Sequence, residues 1–166
     1  MVNAPTVDNK TNNTKNLALN DSDTITEVLN DLITTNRGMI DVYQTAVSQL
    51  IDIKNIELLQ GFIEMHERFA TELSNLIVGY GGTPMTTATT GSMMTRVWVT
   101  LKAAFTVGDG SVLAAVTQDA ENVLAAYSGA MGAELPDGVR EMVRQHLSLA
   151  RLASEKLSGL SEAYNN

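Results

Sequence analysis

The chain has no cysteine among its 166 residues. Disulfides, thiolate nucleophiles and Cys-ligated zinc or iron–sulfur sites are excluded with it. A cysteine-free chain suits a reducing compartment, so a cytoplasmic location is expected. Aromatic residues make up only 5% of the chain, so aliphatic side chains and methionine must fill the core. Basic residues are also few. Eleven Lys and Arg stand against 19 Asp and Glu, for a net charge of −8. Such a surface repels phosphate backbones and anionic lipid, which argues against nucleic-acid binding. No apolar run approaches the roughly 20 residues of a transmembrane segment. Met1 to Asn20 has no apolar stretch of the kind a secretion signal needs. A phosphate-binding P-loop, a dinucleotide-binding glycine pattern and a Gly-x-Ser-x-Gly elbow are all missing. There are only two histidines. Ser148 follows His146 by two residues, and on a helix such residues do not face each other.

What is present is apolar residues at helical spacing. Leu59, Phe62, His66, Phe69, Leu73, Leu76 and Tyr80 fall on one stripe, and Glu57, Glu64, Glu67, Arg68 and Glu72 lie opposite. This is an amphipathic helix with an imidazole in its apolar face. Upstream, residues 1–21 are polar and aperiodic and read as a disordered tail. Thr24 to Glu27 matches a capping box that would open a first helix over about 24–51. Leu29, Leu32, Ile33, Asn36, Ile40, Tyr43, Val47 and Leu50 form its stripe. A break at Asp52 and Asn55 is short enough to turn a second helix, about 53–80, back antiparallel beside the first. Gly79, Gly81 and Gly82 supply its stop.

The stretch from Gly81 to Asp109 is a long crossover. Inside it, Met93, Met94, Val97, Trp98, Leu101, Ala104 and Phe105 recur at helical spacing, which predicts a short amphipathic helix over about 92–106. Met93, Met94 and Trp98 are candidates for a partner surface. Packing against one end of a bundle is the plainer use of such a stripe. Asp109 or Ser111 would cap a third helix, about 111–131. Its core face is Val112, Val116, Ala120, Val123, Tyr127 and Ala130. A fourth helix, about 137–160, carries Val139, Met142, His146, Leu149, Ala153, Leu157 and Leu160, and Ala163 to Asn166 would fray. Short, long and short connections predict an all-α fold over residues 22–162. It is a four-helix bundle of two antiparallel hairpins joined by a long crossover, the ferritin-like arrangement.

The two hairpins echo each other. Asn36 and Tyr43 precede His66 in the first, as Ala120 and Tyr127 precede His146 in the second. With these residues, and with Leu29-Asn30-Asp31-Leu32-Ile33, Gly81-Gly82-Thr83-Pro84 and Trp98-Val99-Thr100-Leu101, the chain resembles the ferritin-like superfamily. Within it, the chain is similar to an uncharacterised bacterial four-helix family, a domain of unknown function. The resemblance spans about Thr24 to Leu160 and brings no activity with it. Di-iron members of the superfamily use a Glu on two helices and Glu-x-x-His on the other two. By register those positions fall here on Asn36, on His66 with Phe69, on Ala120 or Glu121, and on His146 with Leu149. Only Glu121 could supply a carboxylate.

The resemblance therefore implies the fold without the di-iron centre, and no cofactor is expected. A structural or interaction role, as a homo-oligomer or with a protein partner, is the leading reading. Asn36, Tyr43, His66, Tyr127 and His146 would then form a buried polar layer that fixes helix register. One alternative is a mononuclear Zn or Fe site built from His66, His146 and Glu121, with redox or binding activity. Another is a carrier that takes a small apolar ligand between the helices.

Overall fold

The structure, a computed structural model, describes the backbone of residues 9–86 and 108–165 and the side chains of residues 22–86 and 108–164. The crossover helix expected at about 92–106, with Met93, Met94 and Trp98, lies outside the described residues. Four helices account for most of what is described: α1 (Asn9–Val47), α2 (Ile53–Gly79), α3 (Asp109–Met131) and α4 (Asp137–Asn165). Around the bundle the order is α1, α2, α4, α3. α1 packs closely on α2 and on α3, and α3 packs on α4. α2 and α4 approach each other less closely. Across one diagonal α2 and α3 meet through side chains, Phe69 on Tyr127 and Asn55 on Asp109. This is an all-α, ferritin-like four-helix bundle.

The first helix starts far earlier than its capping box. α1 is already helical at Asn9, so Thr24 and Glu27 lie inside it and residues 9–21 are not a coil. No glycine or proline occurs between Thr6 and Arg37. Nothing therefore stops a helix that the packed part of α1 has nucleated. It ends at Val47, a turn before the expected Ile51. α2 begins and ends almost where its signals place it. Asp52 is its N-cap, and its carboxylate accepts the Lys54 N–H at 2.8 Å. At the other end the Gly82 N–H reaches the Ile77 carbonyl and the Gly81 N–H reaches that of Val78. That is a Schellman stop, with Gly81 in the left-handed region at φ +78°. Gly82 is needed for a different reason. A β-carbon there would lie 2.5 Å from the Thr26 Oγ1 and 2.9 Å from an Ile77 methyl, because the departing chain runs tight against α1.

The core is mostly as the stripes predict, with shifts at their edges. Leu59, Phe69 and Leu73 are fully buried on α2, but Ile77 completes the stripe while Tyr80, the C-cap residue, is exposed. On α1, Met39 and Val42 join the buried set. All six expected core residues of α3 are buried. On α4, Val143 and Ala150 are buried, whereas Leu149 is 40% exposed. The pairing of α4 with both α2 and α3 rotates its apolar face away from Leu149.

Asp109 does not cap its own helix. The N-cap position of α3 is Gly108, which has no side chain to bond. The Asp109 carboxylate instead accepts the N–H groups of Ile51 (2.9 Å) and Asp52 (3.0 Å) and the Asn55 amide (3.1 Å). It thus ties the α1–α2 turn to the start of α3. Asn55, expected as part of the break, is buried inside α2 and also donates to the Tyr164 hydroxyl at 2.8 Å. Tyr164 therefore anchors the end of α4, which stays helical to Asn165 rather than fraying. Burial alone would raise the Asp109 carboxyl, but its three donors outweigh that and hold it below the ordinary aspartate value. Asp109→Ala should cost about 3 kcal/mol, because it leaves two backbone N–H groups without their acceptor. Asp109→Asn should also destabilise, since its amide turns a donor toward donors. A urea midpoint unchanged in both variants would contradict this role.

Candidate functional site

One polar side chain on each of α1, α3 and α4, and two on α2, meet at one level of the core. Asn36, on α1, is fully buried. Its amide nitrogen donates to the Leu32 carbonyl (2.7 Å) and to the Tyr127 hydroxyl (2.8 Å). Its oxygen lies 2.6 Å from His66 Nδ1. A backbone carbonyl can only accept, so Leu32 settles which end of the amide is nitrogen. His66 Nδ1 must then carry the proton.

The same logic runs through α3 to α4. The Tyr127 hydroxyl accepts from Asn36, so its own hydrogen is available to His146 Nδ1, 3.3 Å away. His146 Nδ1 is then bare, and Nε2 carries the proton. That proton points at Glu72 Oε2 at 2.7 Å. Donors thus alternate with acceptors from His66 through Asn36, Tyr127 and His146 to Glu72. The belt begins and ends on α2 and passes through the other three helices. It is closed to solvent everywhere except at Glu72, whose side chain is 39% exposed. Arg68, one turn earlier, stands 4.0 Å from the same carboxylate.

Aromatic rings fill the space around the belt. Phe69 stacks on the His146 imidazole with centroids 3.9 Å apart and planes 13° from parallel. It also meets His66 edge-on at 5.8 Å. Phe69 thus contacts both imidazoles. Tyr43 packs its ring against Phe62 and His66 at 5.8 and 5.7 Å. Tyr43 joins the layer by ring contact with His66, while Tyr127 joins it by hydrogen bonds.

Burial disfavours the charged forms of the two imidazoles and the two phenols. Burial, and then the neighbouring His146, hold the His66 imidazole down at about 4 from an ordinary 6.5. Burial also lowers His146, although Glu72 pulls the other way. Both tyrosines are pushed above the ordinary phenol value, mainly by burial. Among the described residues no buried side-chain nitrogen or oxygen is without a partner.

The sequence-derived residues do not all assemble. Asn36, Tyr43, His66, Tyr127 and His146 lie in one layer. Glu121 does not join them. It is exposed and accepts from Ser154 at 3.2 Å on the seam between α3 and α4. Among the described residues no three His, Asp or Glu side chains form a cluster able to hold a metal ion. The carboxylate that does reach an imidazole is Glu72, which the sequence pattern places on the outward face. Its position three residues after Phe69 was the available signal: it sits at the edge of the apolar stripe, on the side toward α4.

Comparison with known proteins agrees with this architecture. The profile of a domain of unknown function, DUF2383, matches residues 24–133. The chain belongs to that family. The match covers α1 from Thr24 through α3, and α4 lies beyond it. A mutant of Mycobacterium smegmatis Dps1 has a similar structure, with a TM-score of 0.73 at 12% identity over 86% of this chain and 97% of that one. At that identity the likeness establishes the fold alone. No curated protein matches the sequence. Among the described residues no helix is long and apolar enough to cross a membrane.

Two measurements test the belt. His66 binds a proton in the unfolded chain below about 6.5 but in the folded chain only near 4, so its contribution is complete above 6.5 and is lost as the pH falls through that window. Stability should drop by about 2 kcal/mol between pH 7.5 and pH 5, in urea titrations followed by circular dichroism. The shift of His146 has the same sign. Asp109 acts in a lower window: its contribution is present above the ordinary aspartate value and is lost as the pH falls below it. A flat profile from pH 7.5 to 5 would contradict a buried neutral His66. Separately, nitrogen-15 spectra of the imidazoles at neutral pH should show His66 protonated at Nδ1 and His146 at Nε2. Identical tautomers would break the donor order.

Proposed function

We propose that this DUF2383 domain is a four-helix scaffold without a di-iron centre, which acts in the cytoplasm through protein–protein contact rather than through catalysis. One observation carries the reading. The level of the bundle where the two histidines lie is filled by a hydrogen-bonded belt, with the Phe69 ring against both imidazoles. Two bridging cations need several anionic oxygens. Asn36 supplies an amide there, already committed to three partners. Glu72 supplies a single carboxylate, already paired with His146. The residues present do not fit a di-metal group. A mononuclear Zn or Fe site is supported no better, since Glu121 faces Ser154 and His66 spends Nδ1 on Asn36.

The test is metal content. Protein purified without chelator, then incubated with Fe(II) without oxygen and exposed to air, should hold substoichiometric iron and zinc and consume no oxygen beyond the buffer blank. One or two metal ions per chain, lost in both His66→Ala and His146→Ala, would overturn the proposal.

A further inference from the structure

Of the four seams around the bundle, the one between α2 and α4 is the least closely packed among the described residues. His146, on α4, reaches across it twice. Its Nε2 lies 2.7 Å from Glu72 Oε2, and its ring stacks on Phe69. Its Nδ1 turns the other way, to the Tyr127 hydroxyl of α3 at 3.3 Å. One imidazole thus holds α4 to both of its neighbours, and its nitrogens do so in opposite senses. Nε2 donates to a carboxylate, and Nδ1 accepts from a phenol.

An added proton acts on these two bonds unequally. It must go to Nδ1, since Nε2 already carries one. Nδ1 then becomes a donor facing the hydroxyl. The Tyr127 oxygen can accept from it as well as from Asn36, but the phenol's own hydrogen loses its acceptor. A buried donor left without a partner costs more than an ordinary hydrogen bond returns. On the other side the bond gains. Nε2–H and Glu72 become unlike charges in contact, which bind more strongly than the neutral donor does.

The surroundings decide which imidazole takes the first proton. From α2, Glu72 favours a charge on His146, and Arg68, 4.0 Å from that carboxylate, opposes it. From α3 the facing group is the Tyr127 hydroxyl. α1 brings Asn36, which does not titrate, and Tyr43, whose ring packs on His66. Within α4 the residues one turn away are Met142, Val143, Leu149 and Ala150, none of them ionisable. His66 has an amide as its partner where His146 has a carboxylate. His146 therefore takes the first proton, and its charge then opposes a second one on His66.

We propose that His146 is a proton-operated latch, which ties α4 to α3 through Tyr127 when neutral and to α2 through Glu72 when charged. The latch lies inside the bundle and goes beyond the scaffold reading, since it operates whether or not the domain has a partner.

Histidine and tyrosine side-chain NMR of the full chain, titrated between about pH 8 and pH 4, tests it. In the wild type His146 should titrate above His66. The Tyr127 ring carbon that bears the hydroxyl should shift with the His146 midpoint. Glu72→Gln keeps an acceptor for Nε2–H but removes the charge, so the proton affinity of His146 should fall about tenfold or more. Tyr127→Phe removes the bond that favours the neutral ring, so the affinity should rise. Arg68→Gln should raise it as well, and this exposed position keeps a readout if either core variant does not fold. A histidine that only fills space would titrate alike in all four proteins. His66 titrating first, or one His146 midpoint shared by wild type, Glu72→Gln and Arg68→Gln, overturns the latch. A Tyr127 signal indifferent to the His146 midpoint overturns the exchange of partners.

Discussion

The carboxamide of Asn36 sets the rest of the core. An amide has a donor end and an acceptor end, and here a backbone carbonyl one turn back removes the choice between them. Once the nitrogen faces Leu32 and Tyr127, the oxygen must face His66, and each later proton in the belt follows. Such a belt is valuable only when complete. Each member is worth about 1 kcal/mol when bonded, and costs more than that when its partner is missing, because it sits in a medium that cannot replace the bond. The belt also crosses all four helices, so a slide of any helix by one residue would break it. In a core otherwise filled mostly by forgiving aliphatic contacts, the belt, together with the Asp109 clasp at the far end, distinguishes one register from its neighbours.

Much of this arrangement is legible in the sequence, and the misses share a cause. Helix identity, the short and long connections and the α2 boundaries follow from periodicity and glycine placement, which are local. The histidines and tyrosines announce a layer because polar residues sit inside apolar stripes. The sequence misplaces Glu72, Leu149 and Asp109, because their roles depend on which helix stands beside them. Glu72 looks solvated until α4 brings His146 to it. Asp109 looks like a cap until the α1–α2 turn offers it three donors. Leu149 looks buried until α4 is rotated by its two neighbours. The start of α1 is a different miss, since a capping box marks where a helix can begin but does not forbid it from beginning earlier.

The echo between the hairpins holds in position and fails in chemistry. His66 and His146 each engage through Nδ1, but with an amide in one case and a phenol in the other. The difference traces to Ala120, which stands where the first hairpin has Asn36. With no amide of its own, the second hairpin borrows the one from the first. Two units that could have been equivalent are thereby made dependent on each other.

That dependence has a consequence for how the chain is made. The turn between α1 and α2 is made more than fifty residues before Asp109, so it emerges with the Ile51 and Asp52 N–H groups facing water instead of a carboxylate. Asn36 can find His66 at that stage, but the phenol it also serves has yet to be translated. The Tyr164 hydroxyl that Asn55 also meets comes later still, in the last turn of α4. Synthesis therefore delivers a hairpin that stays provisional until the final turn of α4 is released, and the turn waiting for it is the one tied down by Asp109.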